Sequence, residues 1–226
     1  MNELGFRPHL RFRSKRVLEW VVALLTMLPA STPAGSCLLQ QRQADPGELA
    51  RIIETLDIDP GDAVADVGAG LGSWTVELAR RVGKEGHVFS TEVDAERLKD
   101  IRDRVTEAEL ENVSVVWGSQ KDTGLPPHCC DAILLRRVYH HFTHPVAMQA
   151  SLLRALRPGG LLAVIDFDSG TRKGWREPEG VPRSRGGHGI PKSLLIQEMA
   201  SAGFEAAREL DRWGDGHYCV VFQRAP

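Results

Sequence analysis

Residues 66–72, DVGAGLG, carry the strongest structural signal in this chain of 226 residues. A short apolar run, AVADV at 63–67, leads into them, and an amphipathic stretch at 73–82 follows. Glycine at 68, 70 and 72 permits a tight turn and lets a ligand lie against bare backbone. The pattern therefore predicts a strand, a ligand-binding turn and a helix in immediate succession.

Outward from this turn, short apolar runs alternate with longer amphipathic stretches. The runs predict strands at 63–67, 87–91, 113–117, 131–135 and 161–165. The amphipathic stretches predict helices at 46–56, 73–82, 95–110, 146–156 and 191–202. Two last apolar runs, 204–213 and 218–223, predict an antiparallel hairpin. The expected fold is α/β: a doubly wound, mostly parallel seven-stranded sheet with a C-terminal antiparallel hairpin and helices on both faces.

An acidic residue, Glu92, follows the second predicted strand, 20 residues beyond Gly72. A carboxylate at this place can accept hydrogen bonds from both ribose hydroxyls of a nucleotide. The glycine spacing differs from the dinucleotide pattern G-x-G-x-x-G/A, which would need Gly or Ala at Ser73. Asp66 would also repel a phosphate, so the turn favours a cationic or amine-bearing ligand. An NAD(P)-dependent oxidoreductase is the weaker alternative, and the chain lacks a Tyr-x-x-x-Lys pair.

Residues 66–72 resemble the first motif of the class I S-adenosylmethionine-dependent methyltransferases. The resemblance continues through 89–94 (FSTEVD), 130–134 (CDAIL) and 156–161 (LRPGGL), and covers about 45–226. The segment RVYHHF at 137–142 resembles the small-molecule branch related to the quinone-biosynthesis methyltransferases. The resemblance implies S-adenosyl-L-methionine as cofactor and SN2 transfer of its methyl group to a small-molecule acceptor.

The resemblance also implies roles for the cofactor-binding residues. Asp66 contacts the amino group of the cofactor through water, Glu92 holds the ribose, and Val93 packs on the adenine. The backbone around the methionine part is shaped by Gly68, Ala69, Gly70 and Gly72. The loop with Ser119 and Gln120 closes on the adenine edge. Ser119 departs from the family, in which Asp is common at this place, and nearby Asp122 is a candidate substitute.

Polar residues beyond the fourth and fifth predicted strands are candidates for acceptor chemistry, because strand carboxyl ends share one edge of the sheet. Tyr139, His140 and His141 are the catalytic candidates, with His140 preferred as a base. The substrate-binding candidates are Arg136, Asp166 and His188. The same Tyr-His-His run is compatible with simple packing and capping of a helix. A non-catalytic cofactor-binding protein is therefore an open alternative, and no metal site is predicted, because no carboxylate or Cys is spaced to complete one.

The first 36 residues differ in character from the rest. A basic stretch precedes an apolar run at 17–28, and small residues lead to Cys37. This order predicts a targeting or anchoring segment at 1–36, with export or weak membrane association as its consequence. Glu19 in the apolar run favours the alternative of an amphipathic helix or a disordered tail in a cytoplasmic protein. Residues 37–226 form the predicted methyltransferase domain, and the Gly-, Pro- and Arg-rich stretch 168–190 is a predicted lid loop.

The overall composition excludes several other classes of protein. The chain is 42% hydrophobic and 26% charged, which is typical of a globular domain rather than a disordered one. Its formal net charge of −2 gives no electrostatic reason to expect nucleic acid as a partner. With 4 Cys and no C-x-x-C pair, neither a disulfide scaffold nor a zinc site is indicated. The acceptor atom and the oligomeric state are left open.

Overall fold

The computed structural model describes residues 44–169, 180–181 and 188–225. Within these ranges the helices are α1 (Pro46–Thr55), α2 (Ser73–Val82), α3 (Ala95–Glu107), α4 (Pro145–Ala155) and α5 (Lys192–Ser201). The strands are β1 (Ala63–Val67), β2 (His87–Glu92), β3 (Val113–Trp117), β4 (Cys130–Arg136), β5 (Leu156–Phe167), β6 (Phe204–Gly214) and β7 (His217–Arg224). One 3-10 turn, Tyr139–His141, follows β4. The predicted segment 1–36 and most of the predicted lid lie outside the described residues.

The seven strands form one sheet in the order β3-β2-β1-β4-β5-β7-β6. The first five are parallel, whereas β7 runs antiparallel to both β5 and β6. This arrangement confirms the predicted fold class. The strand order reverses at β1: β2 and β3 lie on one side of it, and β4 and β5 lie on the other. Val67 of β1 accordingly pairs with Thr91 of β2 and with Leu135 of β4. A crevice at the carboxyl ends of these strands is the usual ligand site of such sheets.

Each face of the sheet is buried by its own apolar cluster, as expected for strands covered by helices on both sides. Val64 and Leu134 belong to one cluster, and Ala65 and Leu135 belong to the other. Successive residues of β1 and β4 therefore serve opposite faces, which explains why both strands read as continuous apolar runs. Among the helices of the described ranges, none has the length and apolar character that crossing a membrane requires.

Short-range capping defines two helix starts close to the site. The Asp45 carboxylate accepts from the Glu48 N–H at 2.7 Å and Pro46 occupies the first turn, so α1 begins where predicted. The Asp94 carboxylate accepts from the N–H groups of Glu96 and Arg97, at 2.9 and 3.0 Å, and begins α3 directly after β2. The acidic residue at the end of β2 is thereby held next to a rigid helix start.

The main departure from the predicted elements is β5, which begins at Leu156 rather than 161. Leu156 pairs with Cys130 and Leu161 pairs with Ala132, so the intervening residues bulge out of the ladder. A side chain at Gly160 would lie 2.7 Å from the Asp131 carbonyl oxygen, so glycine is required where the bulge crosses β4. The segment LRPGG, predicted to end a helix, therefore also initiates a strand.

Candidate functional site

A cleft with about 500 Å³ of empty space opens at the carboxyl ends of the central strands. Five of the predicted cofactor-binding residues line it: Gly68, Glu92, Val93, Ser119 and Gln120. Ala69, Gly70 and Gly72 form the adjoining turn. Sequence reasoning missed several further lining residues: Thr91, Val138, Phe142, Thr143 and Met148. The missed residues are mostly apolar, and an apolar residue next to a strand end looks like an ordinary core residue in sequence.

The carboxylate of Glu92 is fixed at the floor of the cleft. One of its oxygens accepts from the Gly70 N–H at 3.0 Å and the other from the Val93 N–H at 2.8 Å. The Arg97 guanidinium lies 3.7 Å away, and only 6% of Glu92 is exposed. Because a carboxylate oxygen has more than one acceptor site, both oxygens can still accept from a pair of ligand hydroxyls.

The glycine turn brings β1 into contact with the segment after β4. The N–H groups of Gly68 and Ala69 both donate to the Thr91 carbonyl, at 2.9 and 3.0 Å. Gly68 has φ +72°, and a β-carbon there would lie 2.4 Å from a methyl group of Val138. Only glycine fits this approach. At Gly70 a β-carbon would meet nothing within 4 Å, so this part of the turn faces open space.

Asp66 lies behind the turn and does not line the cleft. It is 3% exposed and accepts a hydrogen bond from the Thr75 hydroxyl at 2.7 Å. The Thr75 hydroxyl also lies 2.8 Å from that of Ser90, so the three side chains connect β1, α2 and β2. Burial raises the pKa of Asp66 to about 6, and the nearby Glu92 charge adds to this effect. The predicted water-mediated contact of Asp66 with a cofactor stays a prediction.

The loop after β3 is stabilised by its own side chains. The Ser119 hydroxyl accepts from the Asp122 N–H at 3.1 Å and the Lys121 N–H at 3.3 Å. The Asp122 carboxylate also lines the cleft and accepts from the Gly124 N–H and from Arg154, both at 2.8 Å, and its predicted substitution for Ser119 stays a prediction. Burial alone would raise the pKa of Asp122, but these hydrogen bonds lower it.

The sequence candidates Tyr139 and Arg136 make structural contacts. Tyr139 is fully buried, and its hydroxyl donates to Glu198 at 2.8 Å. The structure thus places Tyr139 in the core and not in the cleft, against its prediction as a catalytic group. Arg136, predicted to bind substrate, donates twice to Glu48, at 2.8 and 2.7 Å. Its guanidinium also lies 4.7 Å from the ring centre of Trp74, so its charge is already paired and stacked.

The candidates His140 and Asp166 form a buried pair. The Nδ1 atom of His140 lies 2.8 and 3.1 Å from the two carboxylate oxygens of Asp166. His140 is 2% exposed and Asp166 is fully buried. Asp166, predicted to bind substrate, instead binds the ring that was predicted to act as a base. The two residues are 26 positions apart and meet because β4 and β5 are neighbours in the sheet.

The remaining candidates, His141 and His188, lie beside this pair. The ring centres of His140 and His141 are 4.1 Å apart, and His188 is edge-on to His140 at 4.9 Å. Burial, followed by the adjoining His140, lowers the pKa of His141 to about 4, so its ring is neutral at pH 7. Among the described residues, no group of three or more His, Cys, Asp or Glu is arranged to hold a metal ion.

Comparison with known proteins agrees with this geometry. Residues 64–160 match the family model described as a methyltransferase domain. Demethylmenaquinone methyltransferase of Listeria monocytogenes is 29% identical over 125 residues, which is 55% of this chain and 53% of that protein. The ubiquinone/menaquinone biosynthesis C-methyltransferase UbiE of Teredinibacter turnerae is 33% identical over 116 residues, 51% of this chain and 47% of that protein. The chain spans about half the length of the curated relatives it matches.

Solved structures share the fold over a larger part of the chain. An S-adenosylmethionine-dependent methyltransferase from Aquifex aeolicus superimposes with a TM-score of 0.68 at 24% identity, covering 83% of this chain and 96% of that one. The cyclase SpnF superimposes with a TM-score of 0.63 at 17% identity, covering 78% and 80%. The chain therefore shares the fold of solved S-adenosylmethionine-dependent methyltransferases, and its residues 64–160 are similar to a methyltransferase domain. Two of these relatives are named for quinone biosynthesis, the branch that residues 137–142 are predicted to resemble.

Proposed function

We propose that this protein transfers a methyl group from S-adenosyl-L-methionine to a small-molecule acceptor. The observation that carries the proposal is the Glu92 carboxylate, held by the Gly70 and Val93 N–H groups at the floor of the cleft. A fixed, nearly buried carboxylate is suited to the paired hydroxyls of a ribose. The open space over Gly70 accommodates the part of the cofactor beyond the ribose.

In this proposal, different residues bind different parts of the cofactor. Glu92 binds the ribose, Val93 offers its exposed apolar side chain to the adenine, and the loop at Ser119 and Gln120 covers the adenine edge. The turn at 68–70 surrounds the methionine part. The bound cofactor supplies an activated methyl group, so the protein contributes mainly alignment and exclusion of water.

The acceptor side of the cleft is largely apolar. Val138, Phe142 and Met148 line it, and the neutral ring of His141 adds an aromatic surface. The relatives named as demethylmenaquinone methyltransferases make demethylmenaquinone the first acceptor to examine. Because the fold is shared with SpnF, whose name is that of a cyclase, the fold alone does not choose the reaction.

The test is release of S-adenosylhomocysteine from S-adenosylmethionine, with demethylmenaquinone and a panel of small acceptors. We expect acceptor-dependent release, which Glu92→Gln lowers at least tenfold because charge-assisted bonds to the ribose are weakened. The matched control is Glu85→Gln, an exposed acid before β2, which should behave as the wild type. Cofactor binding without product for any acceptor would instead support the non-catalytic alternative. Selective NADH binding would support an oxidoreductase.

Residues 1–36 are assigned a targeting or anchoring role on sequence grounds alone. N-terminal sequencing of the protein from its native host tests this assignment. Loss of this segment from the mature chain supports a cleaved signal. An intact N-terminus in a protein recovered from the cytoplasm contradicts it.

A further inference from the structure

One buried polar atom near the ends of β4 and β5 has no hydrogen-bond partner among the described residues. The Nε2 atom of His140 is buried, and it makes no hydrogen bond with any of the described residues. A buried polar atom without a hydrogen bond destabilises the fold, so its retention calls for an explanation. A ligand group that hydrogen-bonds to Nε2 would remove this cost.

The partner on the other side of the ring determines what Nε2 can do. Asp166 also accepts from the backbone N–H groups of His140, at 3.2 Å, and Phe167, at 3.0 Å. A carboxylate only accepts hydrogen bonds, so Nδ1 of His140 carries the proton that lies between the two side chains. In the neutral ring Nε2 is then left with a free lone pair, which is the state a general base requires.

Aromatic rings surround the His140 ring. Phe167 lies at 5.0 Å and 60°, His188 at 4.9 Å and 84°, and His141 at 4.1 Å and 39°, between ring centres. His141 also lines the cleft, so this group of rings adjoins the proposed cofactor site. Aromatic rings around one buried nitrogen, which can accept a hydrogen bond, suit a flat aromatic ligand that carries a hydroxyl group.

Resting on the proposed function, we propose that His140 is the general base for an aromatic hydroxyl acceptor and that Asp166 is its positioning residue. The acceptor oxygen gives its proton to Nε2 and uses an electron pair to bond the methyl carbon. The bond from that carbon to the sulfonium sulfur breaks, and its electrons return to sulfur, giving S-adenosylhomocysteine. The imidazolium then releases its proton to water. Because Nε2 is buried, the methyl acceptor reaches it only when one of the rings packed around His140 moves.

The test compares two acceptors with the same ring system. 1-Naphthol needs a base at mildly alkaline pH, whereas 2-naphthalenethiol is already largely ionised there. The variant His140→Asn keeps an N–H donor facing Asp166 and removes Nε2. We expect it to lower kcat/KM for naphthol by about 10²-fold or more, with little change for the thiol. S-adenosylmethionine binding, measured by calorimetry, should be unchanged. His128→Asn, at an exposed position before β4, is the control.

A second variant tests the positioning residue. Asp166→Asn should move the His140 proton to Nε2, observed in long-range proton–nitrogen NMR spectra, and should also lower naphthol turnover selectively. Equal losses for both acceptors would contradict the base and indicate a structural role. A wild-type protein that binds the cofactor but methylates neither acceptor would overturn the acceptor class. Failure of the wild type to bind the cofactor would refute the proposed function itself.

Discussion

The two halves of the cleft are built differently. On the cofactor side, at the ends of β1 to β3, the polar side chains of Glu92 and Ser119 already accept hydrogen bonds from the surrounding backbone. On the methyl-acceptor side, at the ends of β4 and β5, the buried His140 ring has a nitrogen atom, Nε2, without a hydrogen-bond partner among the described residues. Under the proposed function, the first side is preorganised for the cofactor, and the second side is completed when the methyl acceptor binds.

The largest expected effect of a substitution is at the contact between the two halves of the cleft. Gly68→Ala places a methyl group 2.4 Å from Val138 in a backbone with φ +72°. We expect a loss of about 2–4 kcal/mol in the free energy of unfolding, measured by urea denaturation, from strain and overpacking together. Weaker cofactor binding should accompany it.

Two further variants separate the causes. Gly61→Ala has φ +98° but no neighbour within 4 Å, so it should show backbone strain alone, about 1 kcal/mol. Adding Val138→Ala to Gly68→Ala should relieve the clash while leaving the strain. A Gly68→Ala protein as stable as the wild type would contradict the close approach.

The second prediction concerns Asp66, behind the cofactor half. Its pKa is raised to about 6 in the folded protein from an ordinary 3.8, so the folded state holds the proton more tightly. This contribution to stability is therefore complete at low pH and is lost as the pH rises to about 6. Relative to wild type, Asp66→Asn should gain about 2–3 kcal/mol between pH 4 and pH 7. If the free energy of unfolding depended on pH in the same way for the wild type and Asp66→Asn, the raised pKa of Asp66 would be contradicted.

A smaller effect is expected where α1 meets the end of β4. Arg136 donates two hydrogen bonds to the Glu48 carboxylate, at 2.8 and 2.7 Å, and Glu48→Gln removes the negative charge of that partner. Both side chains are mostly buried, so we expect a loss of about 1–3 kcal/mol in thermal or urea unfolding. Glu54→Gln, exposed on the same helix, is the control and should be neutral. Glu48→Gln leaves Arg136 without its charged partner. We expect no change in cofactor affinity from this, because Arg136 does not line the cleft.

The cofactor half was accessible from sequence because it depends on local chemistry. The glycine turn at 66–72 and the acid at the end of the next strand are recognisable from their spacing together with the flanking strand and helix, and Gly68 and Glu92 both line the cleft. The main difference from the predicted strand boundaries is at β5, where a bulge lies inside a Pro-Gly-Gly segment.

The acceptor half was not accessible in the same way. The orientation of a 3-10 turn places Tyr139 in the core and His141 at the cleft, and no periodicity in three residues reveals this. The pairing of His140 with Asp166 depends on strand neighbours that are 26 residues apart. Arg136 is a substrate candidate in sequence because it ends β4, and nothing in the local pattern indicates that it pairs with Glu48, 88 residues away.

The most direct measurement of the central claim is titration calorimetry of the full chain with S-adenosyl-L-methionine, for the wild type, Glu92→Gln and Glu85→Gln. We expect micromolar binding by the wild type and the Glu85 variant, and binding at least tenfold weaker for the Glu92 variant. The absence of any binding heat from the wild type with millimolar cofactor would contradict it.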